Sequence, residues 1–276
     1  MKHKKIKIQK PLLQQKAEIS PARRRVYWTI IILIPFILLG AAEWGLRKFH
    51  YGATFPLFVS IPDESSPYYG INLEVAKRYF TKLSDFPTPR KDLFLKQKPG
   101  NGYRIFILGE SSAAGFPYGN NITFPRILNR RLTDAFPDRF IEVVNTSLTA
   151  INTYTQLDFM DDILEQKPDA ILIYTGHNEY YGALGVCSME SAGKYRWIVK
   201  TSLLLQKTRL YQLLRNTIAY FKIKFFGNAS NESSDDPSST LMERIVKNKI
   251  IPLESDDYNT GINQFKENLS EIVKKA

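Results

Sequence analysis

Three short stretches of the chain place small polar residues directly after an apolar run, which is where ligands bind in parallel α/β sheets. The first is 109–115, in which Ser111 follows the apolar run 104–108. The second ends at Ser147, and the third contains Asn178. Because the carboxyl ends of parallel strands meet at one edge of a sheet, we expect these residues to lie close together. A hydroxyl beside amide donors can attack an ester and stabilise the oxyanion that forms.

The spacing of these residues excludes two common sites. No Lys followed by Ser or Thr stands at the offset that a phosphate-binding loop requires. Ala113 interrupts the Gly-x-Ser-x-Gly pattern of the α/β-hydrolases. Two structural interpretations stay open: Ser111 and Ser112 cap the following helix, and Asn178 is a turn residue whose amide bonds its own backbone.

The pattern Gly-x-Ser-x-x-x-Gly at 109–115 resembles the first block of the SGNH or GDSL hydrolases. The pattern Gly-x-Asn-Glu at 176–179 is similar to their Gly-x-Asn-Asp block, and Ser147 falls where that family usually has a glycine. Glutamates at 110 and 179 replace the family's usual aspartates. The sequence also resembles a bacterial branch in which a membrane span precedes the hydrolase domain and tetratricopeptide repeats often follow.

The resemblance implies an α/β fold, a three-layer α/β/α sandwich with a parallel sheet of the flavodoxin-like, SGNH type. It implies that Ser111 is the nucleophile and that its own N–H, the N–H of Ser147 and the side-chain amide of Asn178 form the oxyanion hole. The implied activity is an esterase or acyl-transfer reaction on an acyl ester, such as an acylated glycan or lipid, with no cofactor and no metal. The alternative is a non-catalytic module of the same fold that binds a glycan or a protein partner.

A serine hydroxyl needs a base to become a useful nucleophile. The family's catalytic Asp-x-x-His motif occurs nowhere in this chain, and outside the N-terminal tail the histidines are His50 and His177. We therefore expect a chain that stops before that block, with His177 as the weaker candidate for the base. One cysteine, Cys187, and three histidines leave no cluster with the spacing of metal ligands.

Alternating apolar and amphipathic segments predict the elements that position these residues. The predicted strands are 104–108, 140–145 and 169–176, and the helices between them are 123–136 and 153–167. This alternation indicates parallel pairing with right-handed crossovers. Residues 47–102 show no sustained period and are interpreted as a connector with a short helix at 73–83, so that the hydrolase-like domain covers 103–276.

Two further helical regions are predicted near the end of the chain. The stretch 196–226 carries seven Lys and Arg and no acid. It is either part of a helical insertion, about 190–256, that packs on the domain, or an interfacial helix on a membrane. The last helix, 261–276, is predicted to bury one face formed by Ile262, Phe265, Leu269, Ile272 and Val273.

The formal charge of +11 belongs mainly to the N-terminal tail, because residues 1–25 hold nine Lys and Arg against one acid. The apolar segment 26–46 follows, with Glu43 as its one charge, and it is long enough to cross a bilayer. We expect a single-pass span in the inner membrane with a cytoplasmic tail and a periplasmic or extracellular domain. The alternative is a cleaved signal peptide. Since the charge flanks this span, the lipid bilayer and not nucleic acid is the expected partner.

Overall fold

In the computed structural model the described residues are 20–80, 86–118, 122–190, 194–226, 246 and 250–276. The chain divides into two units, Met1–Tyr51 and Gly52–Ala276. The described part of the first unit is mainly one helix. The second unit contains six strands and six α-helices in its described ranges.

Helix α1, Pro21–Lys48, matches the predicted span and extends it at both ends. Ser20 caps its N-terminus by accepting a bond from the N–H of Arg23, and Pro21 occupies the first turn, where its missing N–H costs nothing. None of its residues is buried. By length and composition α1 could cross a membrane, although a signal sequence would meet the same test.

The segment predicted as a connector contains a sheet. Strands β1 (Phe58–Ser60), β2 (Tyr68–Ile71) and β3 (Leu93–Leu95) pair antiparallel in the order β1-β2-β3. The predicted short helix at 73–83 appears as a single 3₁₀ turn, Val75–Arg78, and residues 81–83 of that prediction lie outside the described residues. Strands of three or four residues are too short to show a periodic pattern, which explains why the sequence did not reveal them.

A parallel sheet forms the centre of the second unit, as the sequence predicted. Its strands are β4 (Gly102–Gly109), β5 (Phe140–Asn145) and β6 (Ala170–Tyr174), in the order β5-β4-β6. The helices are α2 (Ser111–Ala114), α3 (Phe124–Ala135), α4 (Thr153–Leu164), α5 (Arg196–Gln206), α6 (Arg209–Phe226) and α7 (Asp256–Lys275). Since β4 is flanked by both other strands, its carboxyl end lies between theirs.

Side chains of β4 alternate between two apolar clusters. Ile105 and Ile107 pack with Val143 and, from α3, with Leu128 and Leu132. Phe106 and Leu108 belong to a larger cluster that includes side chains from α4 and α7: Phe159, Met160, Ile163 and Ile272. Both faces of β4 are therefore buried, as its continuous apolar run predicts.

Two predicted helix faces differ from the structure. The apolar spacing of 123–136 predicts a face formed by Ile127, Leu128, Leu132 and Phe136, of which Ile127 and Phe136 are exposed. In α7, Val273 is also exposed, and the buried positions are Gly261, Gln264, Asn268 and Ile272. Two of these four buried residues are polar, and both have hydrogen-bond partners. The Gln264 amide donates to the carbonyl of residue 194, and the Asn268 amide donates to Thr153 Oγ1. On β6, Leu172 and Tyr174 are exposed.

One buried ion pair holds several segments of the second unit together. Arg104, at 1% exposure, donates from Nε to Glu142 Oε2 at 2.7 Å. Its two terminal nitrogens donate to the carbonyls of Gln166 and Leu95. The guanidinium also lies 4.9 Å from the ring centroid of Phe94. Such a buried charge is tolerated because its donors are largely paired.

Candidate functional site

The end of β4 turns sharply into α2, and this turn carries Ser111. Glu110 occupies the N-cap position and Ser111 the first helical position. The helix lasts one turn, because Gly115 ends it in the left-handed conformation at φ 85°. A Cβ at Gly115 would stand 2.2 Å from Thr123 Cγ2, so glycine is required there for space as well as for backbone angle.

Ser111 is half-buried and Ser112 is exposed. Neither serine caps a helix: the cap residue of α2 is Glu110, and that of α3 is Thr123. Within the described part of the chain, the Ser111 hydroxyl has no hydrogen-bond partner. The capping interpretation of these serines is therefore wrong, and the Ser111 hydroxyl is available for another role.

Ser147 lies two residues beyond β5 and is fully buried. Its Oγ has no hydrogen-bond partner among the described residues. Its backbone N–H, which the sequence assigned to the oxyanion hole, donates to Asn145 Oδ1 at 3.2 Å. Asn145 in turn donates from Nδ2 to the carbonyl of Ala113 in α2. The Ser147 N–H is thus already used locally, and it would have to be shared to serve a substrate oxygen.

Asn178 follows β6 and is 8% exposed. Its Nδ2 is buried and makes no hydrogen bond within the described ranges. Asn178 does lie in a turn, but its side-chain amide nitrogen does not bond the local backbone. A buried amide nitrogen without a partner costs free energy, and a ligand oxygen would satisfy it.

Glu110 connects the ends of β4 and β6. Its side chain is fully buried and accepts three hydrogen bonds from the segment after β6. Thr175 Oγ1 donates at 2.6 Å, the N–H of Gly176 at 3.0 Å and the N–H of Asn178 at 2.8 Å. These bonds fix the backbone of Asn178 beside the residue that precedes Ser111.

The segment after β5 also lies close to the end of β4, at Gly109. A Cβ at Gly109 would stand 2.9 Å from Ser147 Oγ and 3.0 Å from the carbonyl oxygen of Tyr174. The structure therefore brings the residues after β4, β5 and β6 together around positions 109 and 110. The joint use of Ser111, Ser147 and Asn178 on one substrate atom stays a prediction.

Glu179 is a second buried carboxylate beside this point, at 5% exposure. Thr153 at the start of α4 donates to it twice, from Oγ1 at 2.6 Å and from its backbone N–H at 3.2 Å. The pKa of Glu179 is raised to about 7, mainly by burial and to a smaller extent by the nearby carboxylate of Glu110, while the two Thr153 bonds act in the opposite sense. Glu179 thus titrates near neutral pH.

His177 is partly exposed, with 47% of its side chain accessible. Its Nδ1 lies 3.7 Å from Glu110 Oε2, beyond hydrogen-bond distance, and its ring centroid is 5.1 Å from that of Tyr174. His50 belongs to the first unit, Met1–Tyr51. His177 is therefore the one histidine of the chain that shares a unit with Ser111.

A cavity of about 300 Å³ lies beside α2. Its lining is mainly apolar and comprises Ser112, Gly115, Phe116, Tyr118, Ile122, Thr123 and Phe124. A space of this size is at the lower end for small-molecule sites. In the described ranges, no group of three His, Cys, Asp or Glu side chains is placed to hold a metal ion.

Sequence reasoning missed the part played by Glu110 and Glu179, which it treated as substitutes for family aspartates. The available signal was their position, because each acid directly adjoins a predicted site residue at a strand end. A charge at such a place must be hydrogen-bonded when it is buried.

Comparisons with protein-family models, with curated proteins and with solved structures found no match to this chain. The functional interpretation therefore depends on the geometry of the site and on the sequence pattern.

Proposed function

We propose that the chain is a membrane-anchored serine hydrolase of the SGNH or GDSL type, which acts on ester bonds through an acyl-enzyme on Ser111. The observation that carries the proposal is the pair of buried polar groups without partners, Ser147 Oγ and Asn178 Nδ2, that follow the strands on either side of β4. Unsatisfied buried donors beside a free hydroxyl are expected where a substrate oxygen binds.

In the proposed reaction, the Ser111 oxygen attacks the ester carbonyl carbon and its proton passes to a base. The carbonyl oxygen becomes an oxyanion that accepts hydrogen bonds from Asn178 Nδ2, from the Ser111 N–H and from the Ser147 N–H, which it shares with Asn145 Oδ1. Collapse of this intermediate breaks the ester C–O bond, the base returns its proton to the departing oxygen, and the alcohol leaves with the acyl group remaining on Ser111. Water or a second alcohol then removes the acyl group by the same steps. The apolar cavity beside α2 suits a short acyl group.

The base has two candidates. The family resemblance assigns it to an Asp-x-x-His motif, which the given sequence does not contain. The second candidate is His177, the histidine of the unit Gly52–Ala276. Its Nδ1 lies 3.7 Å from Oε2 of the buried Glu110. The variant His177→Gln tests the second candidate: reaction at Ser111 that the wild-type chain shows and the variant loses would assign the base to His177.

The fold proposed with this function is a three-layer α/β/α sandwich. It is supported by the parallel order β5-β4-β6 and by the two clusters on opposite sides of β4, one with α3 and one with α4. The proposed location is the inner membrane, with α1 as the span, the basic tail in the cytoplasm and the unit Gly52–Ala276 in the periplasm or outside the cell. The excess of Lys and Arg before α1 supports this orientation.

The test is covalent labelling of the full chain in detergent by a fluorophosphonate probe, together with hydrolysis of p-nitrophenyl acetate. We expect labelling that is lost in Ser111→Ala and kept in the control Ser270→Ala, because Ser270 is an exposed serine on α7. Labelling that persists in Ser111→Ala would remove Ser111 from the mechanism.

A second candidate function is a non-catalytic module of the same fold that binds an acylated glycan or a protein partner. The hydrogen bond from the Ser147 N–H to Asn145 favours it, because one predicted oxyanion donor is already occupied. Absence of both labelling and hydrolysis, together with binding of an acetylated oligosaccharide that Asn178→Ala weakens, would support this candidate over the enzyme.

A further inference from the structure

Helix α6 presents an apolar stripe to solvent. Leu214, Ile218 and Phe221 are 58%, 59% and 49% exposed, and their spacing of four and three residues places them on one side of the helix. Single exposed apolar residues are ordinary, but a stripe on one helix face marks an interaction surface. We call these three residues the α6 stripe.

The charge around the α6 stripe is positive. No Asp or Glu occurs between residues 196 and 226. In α5, Arg196 and Lys200 pair with Glu271 of α7, so their charge is used inside the unit. Arg215 and Lys224, which flank the α6 stripe, make no ion pair with any described residue. Lys224 Nζ lies 5.8 Å from the ring centroid of Tyr220, a contact that leaves its positive charge in place. An apolar stripe flanked by such cations is complementary to a surface of anionic lipids.

The chain that leaves α1 is fixed to α6. Ala53 donates its N–H to Gln212 Oε1 at 3.1 Å, and Gln212 Nε2 donates to the carbonyl of Ala53 at 2.9 Å. Ala53 follows Lys48, the last residue of α1, by five positions. Five residues span at most about 18 Å when fully extended. Five residues of chain and this pair of hydrogen bonds thus link the end of α1 to Gln212.

We propose that the α6 stripe lies on the surface of the anionic bilayer that α1 spans. The three apolar side chains enter the boundary between headgroups and acyl chains, and Arg215 and Lys224 contact lipid phosphates. This contact does not depend on Ser111 chemistry, so its success or failure is separate from that of the proposed hydrolase.

The test uses the full chain reconstituted in vesicles of phosphatidylcholine with and without 30% phosphatidylglycerol. In a Cys187→Ala background, Ile218→Cys carries an environment-sensitive nitrobenzoxadiazole label. We expect its emission to shift to shorter wavelength and to be quenched by doxyl-labelled lipid several-fold more in the anionic vesicles. The additional changes Arg215→Glu and Lys224→Glu should remove most of this difference.

The matched control is Leu93→Cys, whose side chain in β3 is 56% exposed and should report water in both kinds of vesicle. Equal quenching at 218 and 93 would overturn the proposal. The proposal would also be overturned if the label at 218 became more buried as the protein concentration rose and did so equally in both kinds of vesicle. That result would show that a second copy of the chain covers the α6 stripe. Hydrogen exchange of the unlabelled wild-type chain gives an independent readout, with slower exchange in α6 expected only in anionic vesicles.

Discussion

The N–H of Asn178 donates a 2.8 Å hydrogen bond to Oε2 of Glu110, the residue next to Ser111. The Glu110 carboxylate therefore holds the segment after β6 against the end of β4. Glu110 is fully buried and touches no solvent, so its role is to position Asn178 through the backbone and not to bind substrate.

Glu110→Gln should weaken this connection, because an amide can keep one acceptor oxygen but places an N–H donor where the second oxygen stood. Bonds to a charged acceptor contribute about 1.5–3 kcal/mol each, and we expect a loss of unfolding free energy of that order. The rate of labelling at Ser111 should fall as well. Denaturant unfolding and labelling kinetics measure the two effects, with Glu165→Gln, at an exposed acid, as the control. Unchanged stability would show that Glu110 does not hold the segment.

Asn178→Ala should reduce kcat/KM for ester hydrolysis by about 10²–10³, the usual effect of removing one oxyanion-hole donor. Stability should change little, because the Nδ2 of Asn178 makes no hydrogen bond that the variant would lose. Asn101→Ala, which removes a surface amide that bonds the carbonyl of Asp138, should leave kcat/KM unchanged. A variant at 178 that loses stability and not rate would contradict the assigned role.

Gly109→Ala should destabilise the strand end at which the three site segments meet. The added Cβ would stand 2.4 Å from Ala113 Cβ, and neither that atom nor the Tyr174 carbonyl can move away cheaply. Overpacking of this kind costs about 1–3 kcal/mol. Gly100→Ala is the control, since a Cβ there meets no atom within 4 Å. Thermal unfolding of both variants checks the prediction, and equal midpoints would refute it.

Glu179 should make the stability depend on pH. Its pKa is raised to about 7 in the folded chain from an ordinary value of 4.5, so the folded state keeps a proton that the unfolded state releases. The stability that Glu179 contributes is then fully present below about pH 4.5 and is lost as the pH rises to about 7. Over this window the loss from Glu179 is on the order of 3 kcal/mol. In Glu179→Gln the decrease should be absent, and denaturant unfolding at pH 5 and pH 7.5 measures it. A variant that keeps the wild-type decrease would assign it to another group.

The sequence predicted the parallel sheet because long apolar runs and amphipathic helices alternate along 102–174. The strand Phe140–Asn145 begins and ends where it was predicted, and the apolar face of α4 is buried as expected. The antiparallel sheet of β1–β3 was not predicted, because its strands are too short to carry a pattern. Exposure of Leu172 and Val273 could not be predicted either, since burial depends on which neighbours cover a side chain.

For the site, the order of motifs located Ser111, Ser147 and Asn178 at the ends of adjacent strands, and the structure confirms those places. What the sequence could not supply was the state of each hydrogen-bonding group. The Ser147 N–H is taken by Asn145, whereas the Asn178 amide nitrogen is free of bonds in the described part of the chain. Such pairing is decided by distances of a few tenths of an ångström, which no spacing rule specifies.

The contacts of Arg104 restrict how this chain can vary over generations. Its guanidinium bonds Glu142 and two carbonyls at once, so a neutral residue at 104 would strand a carboxylate in the interior. The reverse change, at 142 alone, would strand the cation. Substitutions at positions 104 and 142 are therefore expected to occur together, so that both residues are charged or both are apolar. A substitution at one position should be compensated by a substitution at the other.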